Sequence, residues 1–135
     1  MLKTYQGSCH CGSVRFEADV NISVGTGKCN CTICTKMRLW SVQAKPEAFR
    51  LVAGAAELTH YRGNNPVAHH LFCRRCGVRP FEWVDMPNMS GGKYYNINVA
   101  CLDGVNIDEL LEAPVTYYDG LHNDWGKTPA ETRHL

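Results

Sequence analysis

Apolar and polar residues alternate with a period of two along several short stretches of the chain. Residues 13–19 place Val14, Phe16 and Ala18 on one face, and residues 94–101 set Tyr95, Ile97, Val99 and Cys101 against Asn96, Asn98 and Ala100. Alternation of this kind predicts strands with one buried face. Residues 39–44, 49–53, 58–62, 67–72 and 79–84 are further strand segments, divided by turn-forming sequences at 54–56 and 63–66. Pro46 ends the first of these, and Pro80 favours an edge or a strand start for the last. Two short helical pieces are expected, one entered near Thr32 and completed over 35–40, the other over 108–112 and stopped by Pro114. Residues 87–92 read as a polar loop, and residues 115–125 as loop and polar tail. Short strands between frequent turns predict a mainly β fold, and a single domain spanning residues 1–135.

Composition narrows the function classes. The 135 residues are 44% hydrophobic and 20% charged, which suits one globular domain with a modest core. The 14 basic and 13 acidic residues leave a formal charge of +1, so there is no net pull toward nucleic acid or an anionic membrane. No apolar run nears the roughly 20 residues that span a bilayer, and the first residues lack the charged-then-apolar layout of a signal peptide. A cytoplasmic protein with neither nucleic acid nor membrane as partner is expected; the sequence leaves its oligomeric state open.

Cysteine usage carries the chemistry. Seven of the eight cysteines fall into tight groups, Cys9/Cys11, Cys29/Cys31/Cys34 and Cys73/Cys76, and in a reducing compartment such groups read as metal ligands rather than disulfides. In an extended segment Cys29 and Cys31 share a face while Asn30 turns aside. A helical turn from Thr32 then puts Cys34 one turn above Cys31, so the three sulfurs can meet. Structural zinc takes four protein ligands, whereas catalytic zinc keeps three and a position for water or substrate; the trio therefore reads as a working site. Cys73 and Cys76 followed by Gly77 read as a knuckle whose turn presents two thiolates, with a thioredoxin-like redox pair as the alternative. Cys9 and Cys11, expected to share one strand face with His10 opposite and flanked by the bendable Gly7 and Gly12, would complete a closed four-thiolate site clamping a loop of about sixty residues. Alone, the Cys9/Cys11 pair could equally be two small buried residues.

The set Gly7-Ser-Cys-His-Cys-Gly12, Cys29-Asn-Cys-Thr-Ile-Cys34 and Phe72-Cys-Arg-Arg-Cys-Gly-Val78 resembles, in order and spacing, the glutathione-dependent formaldehyde-activating enzymes, a group that includes centromere protein V. The resemblance covers nearly the whole chain. It implies a fold like that of the zinc-binding Mss4 protein, with antiparallel sheets around a structural zinc. It also implies two Zn2+ per chain: a structural ion at Cys9, Cys11, Cys73 and Cys76, and a functional one at Cys29, Cys31 and Cys34. The implied activity is that of a carbon–sulfur lyase, adding glutathione or another small thiol to formaldehyde or a related aldehyde. A zinc ion with an open position suits that chemistry, since it can hold sulfur as thiolate or polarise a carbonyl oxygen.

Residues near the motifs supply further candidates. Lys28, Lys36 and Arg38 could hold the two carboxylates of glutathione or be solvated surface charges. Of His69 and His70, adjacent on a strand, at most one can reach the zinc knuckle, and ordinary strand positions are the blander reading. His10 points away from its neighbouring sulfurs, and Tyr94 and Asn98 are possible pocket residues. Cys101 either packs as a small hydrophobe, which the apolar face favours, or closes the trio as a fourth ligand. The competing functional reading is a non-catalytic zinc-stabilised binding module.

Overall fold

A computed structural model of the chain describes residues 1–88 and 90–135; Met89, within the loop expected over 87–92, lies outside the described residues. The strands are β1 (Lys3–Ser8), β2 (Arg15–Val20), β3 (Thr26–Cys29), β4 (Ser41–Ala44) and β5 (Phe49–Ala53). They continue as β6 (Leu58–Tyr61), β7 (Ala68–Cys73), β8 (Phe81–Asp85), β9 (Lys93–Asn98) and β10 (Val115–Tyr118). Two short α-helices, α1 (Thr32–Met37) and α2 (Ile107–Glu112), and six single-turn 3-10 helices complete the described elements. The mainly β expectation holds, and no described helix is long and apolar enough to cross a membrane.

The strands form a three-stranded sheet, ordered β1-β2-β5, and a seven-stranded sheet, ordered β10-β3-β4-β9-β8-β7-β6. Four aromatic side chains join them. Phe16 and Phe49 from the small sheet stack at 5.5 Å between ring centroids, and Phe49 meets Phe81 at 4.6 Å and Tyr95 at 4.1 Å on the large sheet. Offset and edge contacts of this kind add to the area they bury. The inward residues of β8 and β9, Phe81 and Ile97, sit opposite one another in this core, while the alternate residues Glu82, Val84, Tyr94 and Asn96 face the other side of the sheet.

The structure departs from the alternation pattern in four places. Residues 115–118, expected as loop, form β10 and pair in parallel with β3; half-exposed Val-Thr-Tyr-Tyr does not alternate, so only the tertiary partner reveals it. Residues 3–8 form β1, whose inward positions are Tyr5 and Gly7, so a single large apolar side chain is all that marks the strand. The helix at Thr32 stops at Met37, because Arg38 adopts the left-handed conformation at φ 54°. β9 stops at Asn98, whose side chain accepts from the Ala100 N–H and turns the chain at Val99–Cys101.

Gly7 lies directly across from Phe16 in the β1–β2 ladder, and a Cβ built there would overlap the Phe16 ring. Gly7→Ala therefore pushes Phe16 off the aromatic core. It is expected to lower stability by about 1–3 kcal/mol, as overpacked cores do, read as a reduced midpoint in urea unfolding with unchanged slope.

Candidate functional site

The first sulfur group is built where the two sheets meet. Cys9 follows β1 in a turn closed by Cys9 N–H donating to Val14 O at 3.1 Å and Gly12 N–H to Cys9 O at 3.2 Å. It is this turn, rather than a shared strand face, that brings Cys11 back beside Cys9. Cys73 ends β7, and Gly77, at φ 75°, lets the chain fold back so that its N–H donates to Cys73 O at 2.8 Å. The sulfurs of Cys9, Cys11, Cys73 and Cys76 all lie within 4.8 Å of one another. Backbone N–H groups of Val14 and Arg75 donate to Cys9 and Cys73 sulfur at 3.3 and 3.4 Å. Burial pushes the Cys9 thiol up to about 11, while backbone N–H groups of Cys11 and Val78 hold Cys76 down to about 6. All eight cysteines are free of disulfides.

The second group sits at the junction of β3 and α1. Cys29 is the last residue of β3, Cys31 is the N-cap of α1, and Cys34 lies one turn in, its N–H donating to Cys31 sulfur at 3.5 Å. The Cys31 N–H in turn donates to Cys29 sulfur at 3.4 Å. Asn30 does turn aside, and it has a task. Its amide donates to Asp119 at 2.8 Å and accepts from the Leu121 N–H at 2.9 Å, tying the cluster to the segment after β10. That segment touches the sulfur cluster directly, since a Cβ on Gly120 would come within 2.6 Å of Cys29 sulfur and of the Trp125 ring. The tie from Asn30 to Asp119 and the close approach of Gly120 and Trp125 are not legible in the sequence, because they depend on a segment about ninety residues further along the chain.

The sulfurs of Cys29, Cys31 and Cys34 also lie within 4.8 Å of one another, and no fourth Cys, His, Asp or Glu joins them among the described residues. Hydrogen bonds from Cys29 and Cys34 hold the Cys31 thiol far below its usual range, and the same contacts push Cys34 and Cys29 up. Three thiolates at this spacing require a cation between them. Both donor sets fit a soft or borderline metal ion, and each cluster could hold one.

Other expected residues are placed as follows. Cys101 is buried, directs its thiol to Arg79 O at 3.7 Å, and is raised to about 11 by burial, with Cys9 and Cys76 among its charged neighbours. It packs beside the four-sulfur group and does not close the trio. Lys28 Nζ donates to Leu135 O at 3.1 Å and Arg38 to His134 O at 2.9 Å, so two of the three flanking cations hold backbone carbonyls of the final segment; Lys36 is exposed. His10 is exposed, and neither His69 nor His70 joins a sulfur group. Asn98 donates to Arg79 O at 2.9 Å, away from the trio. Tyr94 does line a cavity with Cys29 and Cys34, a groove of about 1040 Å³ over the outer face of the large sheet whose walls include Ile33, His70 and Glu82. Burial, then the charges of Glu82 and Tyr118, push the Tyr94 phenol up to about 12.

Elemental analysis of the purified chain is expected to find two metal ions. Cys31→Ser removes one ion and leaves a cooperative unfolding transition, whereas Cys73→Ser loses the fold with its ion. Gly120→Ala, pressing on Cys29 sulfur, lowers occupancy of the three-sulfur ion alone.

The model of the family described as glutathione-dependent formaldehyde-activating enzyme matches residues 4–118, which contain both sulfur groups. Among solved structures, the crystal structure of a Rhodobacter sphaeroides protein is 35% identical, with a TM-score of 0.67, over 82% of this chain and 99% of that one. The matched span, the paired sulfur groups and this structural likeness agree, and the chain belongs to the glutathione-dependent formaldehyde-activating enzyme family.

Proposed function

We propose that this protein is a zinc-dependent carbon–sulfur lyase that interconverts a small thiol, glutathione in the first instance, and an aldehyde such as formaldehyde with their S-hydroxymethyl adduct. The observation that carries the reading is the three-sulfur cluster with no fourth protein donor, two of whose members, Cys29 and Cys34, line the groove. Cys9, Cys11, Cys73 and Cys76 would hold a structural zinc that clamps the two sheets. Cys29, Cys31 and Cys34 would hold the second.

Zinc bound there supplies a centre that stabilises a thiol sulfur as thiolate or polarises a carbonyl oxygen. The chain itself does the positioning. Cys31 and Cys34 are fixed by the first turn of α1, and Asn30 and Gly120 lock the strand end that carries Cys29. Ile33 and Leu39 make the wall beside the cluster apolar. In the forward direction the thiol loses its proton, a sulfur lone pair forms the C–S bond, and the carbonyl π pair becomes an alkoxide that takes up a proton.

A binding-module reading is favoured by one observation: Lys28 and Arg38, the cations best placed for glutathione carboxylates, already hold the carbonyls of Leu135 and His134. Titration calorimetry and exchange NMR separate the two. The lyase reading expects saturable glutathione binding, lost in Cys31→Ser with the fold retained, and exchange between formaldehyde and its glutathione adduct faster than in buffer. Exchange at the uncatalysed rate with the three-sulfur ion fully loaded would leave the binding module standing.

A further inference from the structure

The groove that reaches Cys29 and Cys34 has a second chemical feature on its floor. Strand pairing sets His70 of β7 level with Glu82 of β8, Glu82 level with Asn96 of β9, and Asn96 level with Gln43 of β4. All four residues line the groove. The side chains of His70 and Glu82 are each only 5% exposed, an unusual place for a charge unless it is fully paired.

Glu82 is paired three times over. It accepts from His70 Nδ1 at 2.6 Å, from Arg79 Nη2 at 2.7 Å and from Asn96 Nδ2 at 3.0 Å. Burial alone would raise this carboxyl, but the His70 hydrogen bond, the Arg79 charge and the Asn96 amide outweigh it and hold the group below its usual range. The carboxylate is therefore an anion, and an anion 2.6 Å from a ring nitrogen requires the proton to sit on that nitrogen. Arg79 Nη2 also lies 3.1 Å from Nδ1, but the carboxylate is nearer and can only accept, so with the proton held toward Glu82 a neutral ring has its lone pair on Nε2.

Nε2 lies beside the Gly63 turn, 3.7 Å from where a Cβ on that glycine would sit. It has no hydrogen-bond partner among the described residues, yet the buried side-chain nitrogen left without a partner there is Arg79 Nε, not His70 Nε2. Arg79 also ties the pair to the metal-binding helix, because its Nη1 lies against Met37 sulfur, three residues beyond Cys34. A histidine in a groove wall, oriented by a buried carboxylate and with its second nitrogen unpartnered, is the arrangement that serves as general base and then general acid.

Resting on the lyase reading, we propose that the His70–Glu82 pair is the proton-transfer group of the groove. His70 Nε2 accepts the proton of the incoming thiol as the sulfur lone pair forms the C–S bond and the carbonyl π pair moves to oxygen. The alkoxide then takes that proton back from Nε2, so the ring ends as it began and no oxidant or reductant is consumed. Glu82 keeps the proton on Nδ1 throughout and stabilises the transient imidazolium; it is a positioning residue. The reverse reaction uses the same atoms in the opposite order.

The test uses the metal-loaded full chain. His70→Gln, which keeps a donor toward Glu82, is expected to lower kcat for adduct formation by about 100-fold or more, with glutathione affinity and metal content unchanged. Added imidazole should restore part of the rate in His70→Gly. Independently of turnover, nitrogen NMR of the imidazole is expected to find Nε2 unprotonated in the free protein and shifted on saturation with glutathione and formaldehyde. Full activity of His70→Gln in the presence of a working wild type overturns the proposal and leaves the lyase reading intact. So does an Nε2 resonance that stays put while glutathione saturates the cluster. A wild type that binds glutathione but never exceeds the uncatalysed rate removes the lyase reading, and this proposal with it.

Discussion

Everything in this fold rests on holding a small sheet against a large one with little core to spare. Four aromatic rings meet across the join, and the group of Cys9, Cys11, Cys73 and Cys76 lies at its edge, gathering sulfurs from turns 62 residues apart in sequence. Four free thiols so close together are poorly matched to one another without a cation, since each thiolate formed makes the next harder to form. Such an ion and the aromatic core would be complementary: the core keeps the turns close enough to share an ion, and an ion held there would fix the turns that lead to Phe16 and Phe81.

The trio at Cys29, Cys31 and Cys34 uses the same chemistry to a different end. Its sulfurs come from one strand end and one helical turn, so it joins nothing distant through its own ligands. Its long-range support is indirect, through Asn30 to Asp119 and Leu121 and through the close approach of Gly120. That division leaves the cluster rigid on its protein side and accessible along the groove, the combination expected of a site that exchanges a ligand.

Much of this was legible in the sequence because short spacings fix local geometry. The sidestep of Asn30 and the rise of Cys34 one turn above Cys31 follow from strand and helix periodicity, as do the strands around Phe16 and at residues 49–53, while the pairs Cys9/Cys11 and Cys73/Cys76 were legible from their short spacings beside glycine and are closed by turns. What stayed hidden depends on partners far along the chain. β10 pairs in parallel with β3 across almost ninety residues and carries no alternation of its own. Lys28 and Arg38 read as surface or substrate cations until the final segment lands on them. His69 and His70 look equivalent as a pair, yet register places His70 beside Glu82, while His69 stacks on Trp83 on the opposite face. No local signal distinguishes them.

The central claim is that the three-sulfur cluster holds a metal ion whose remaining position accepts an external thiol. X-ray absorption at the metal edge, on the same sample before and after saturation with glutathione, tests it directly. The account predicts that the mean number of sulfur neighbours per metal ion rises on adding glutathione and returns when it is removed. An unchanged sulfur shell, in protein carrying both ions and with glutathione bound, would contradict it.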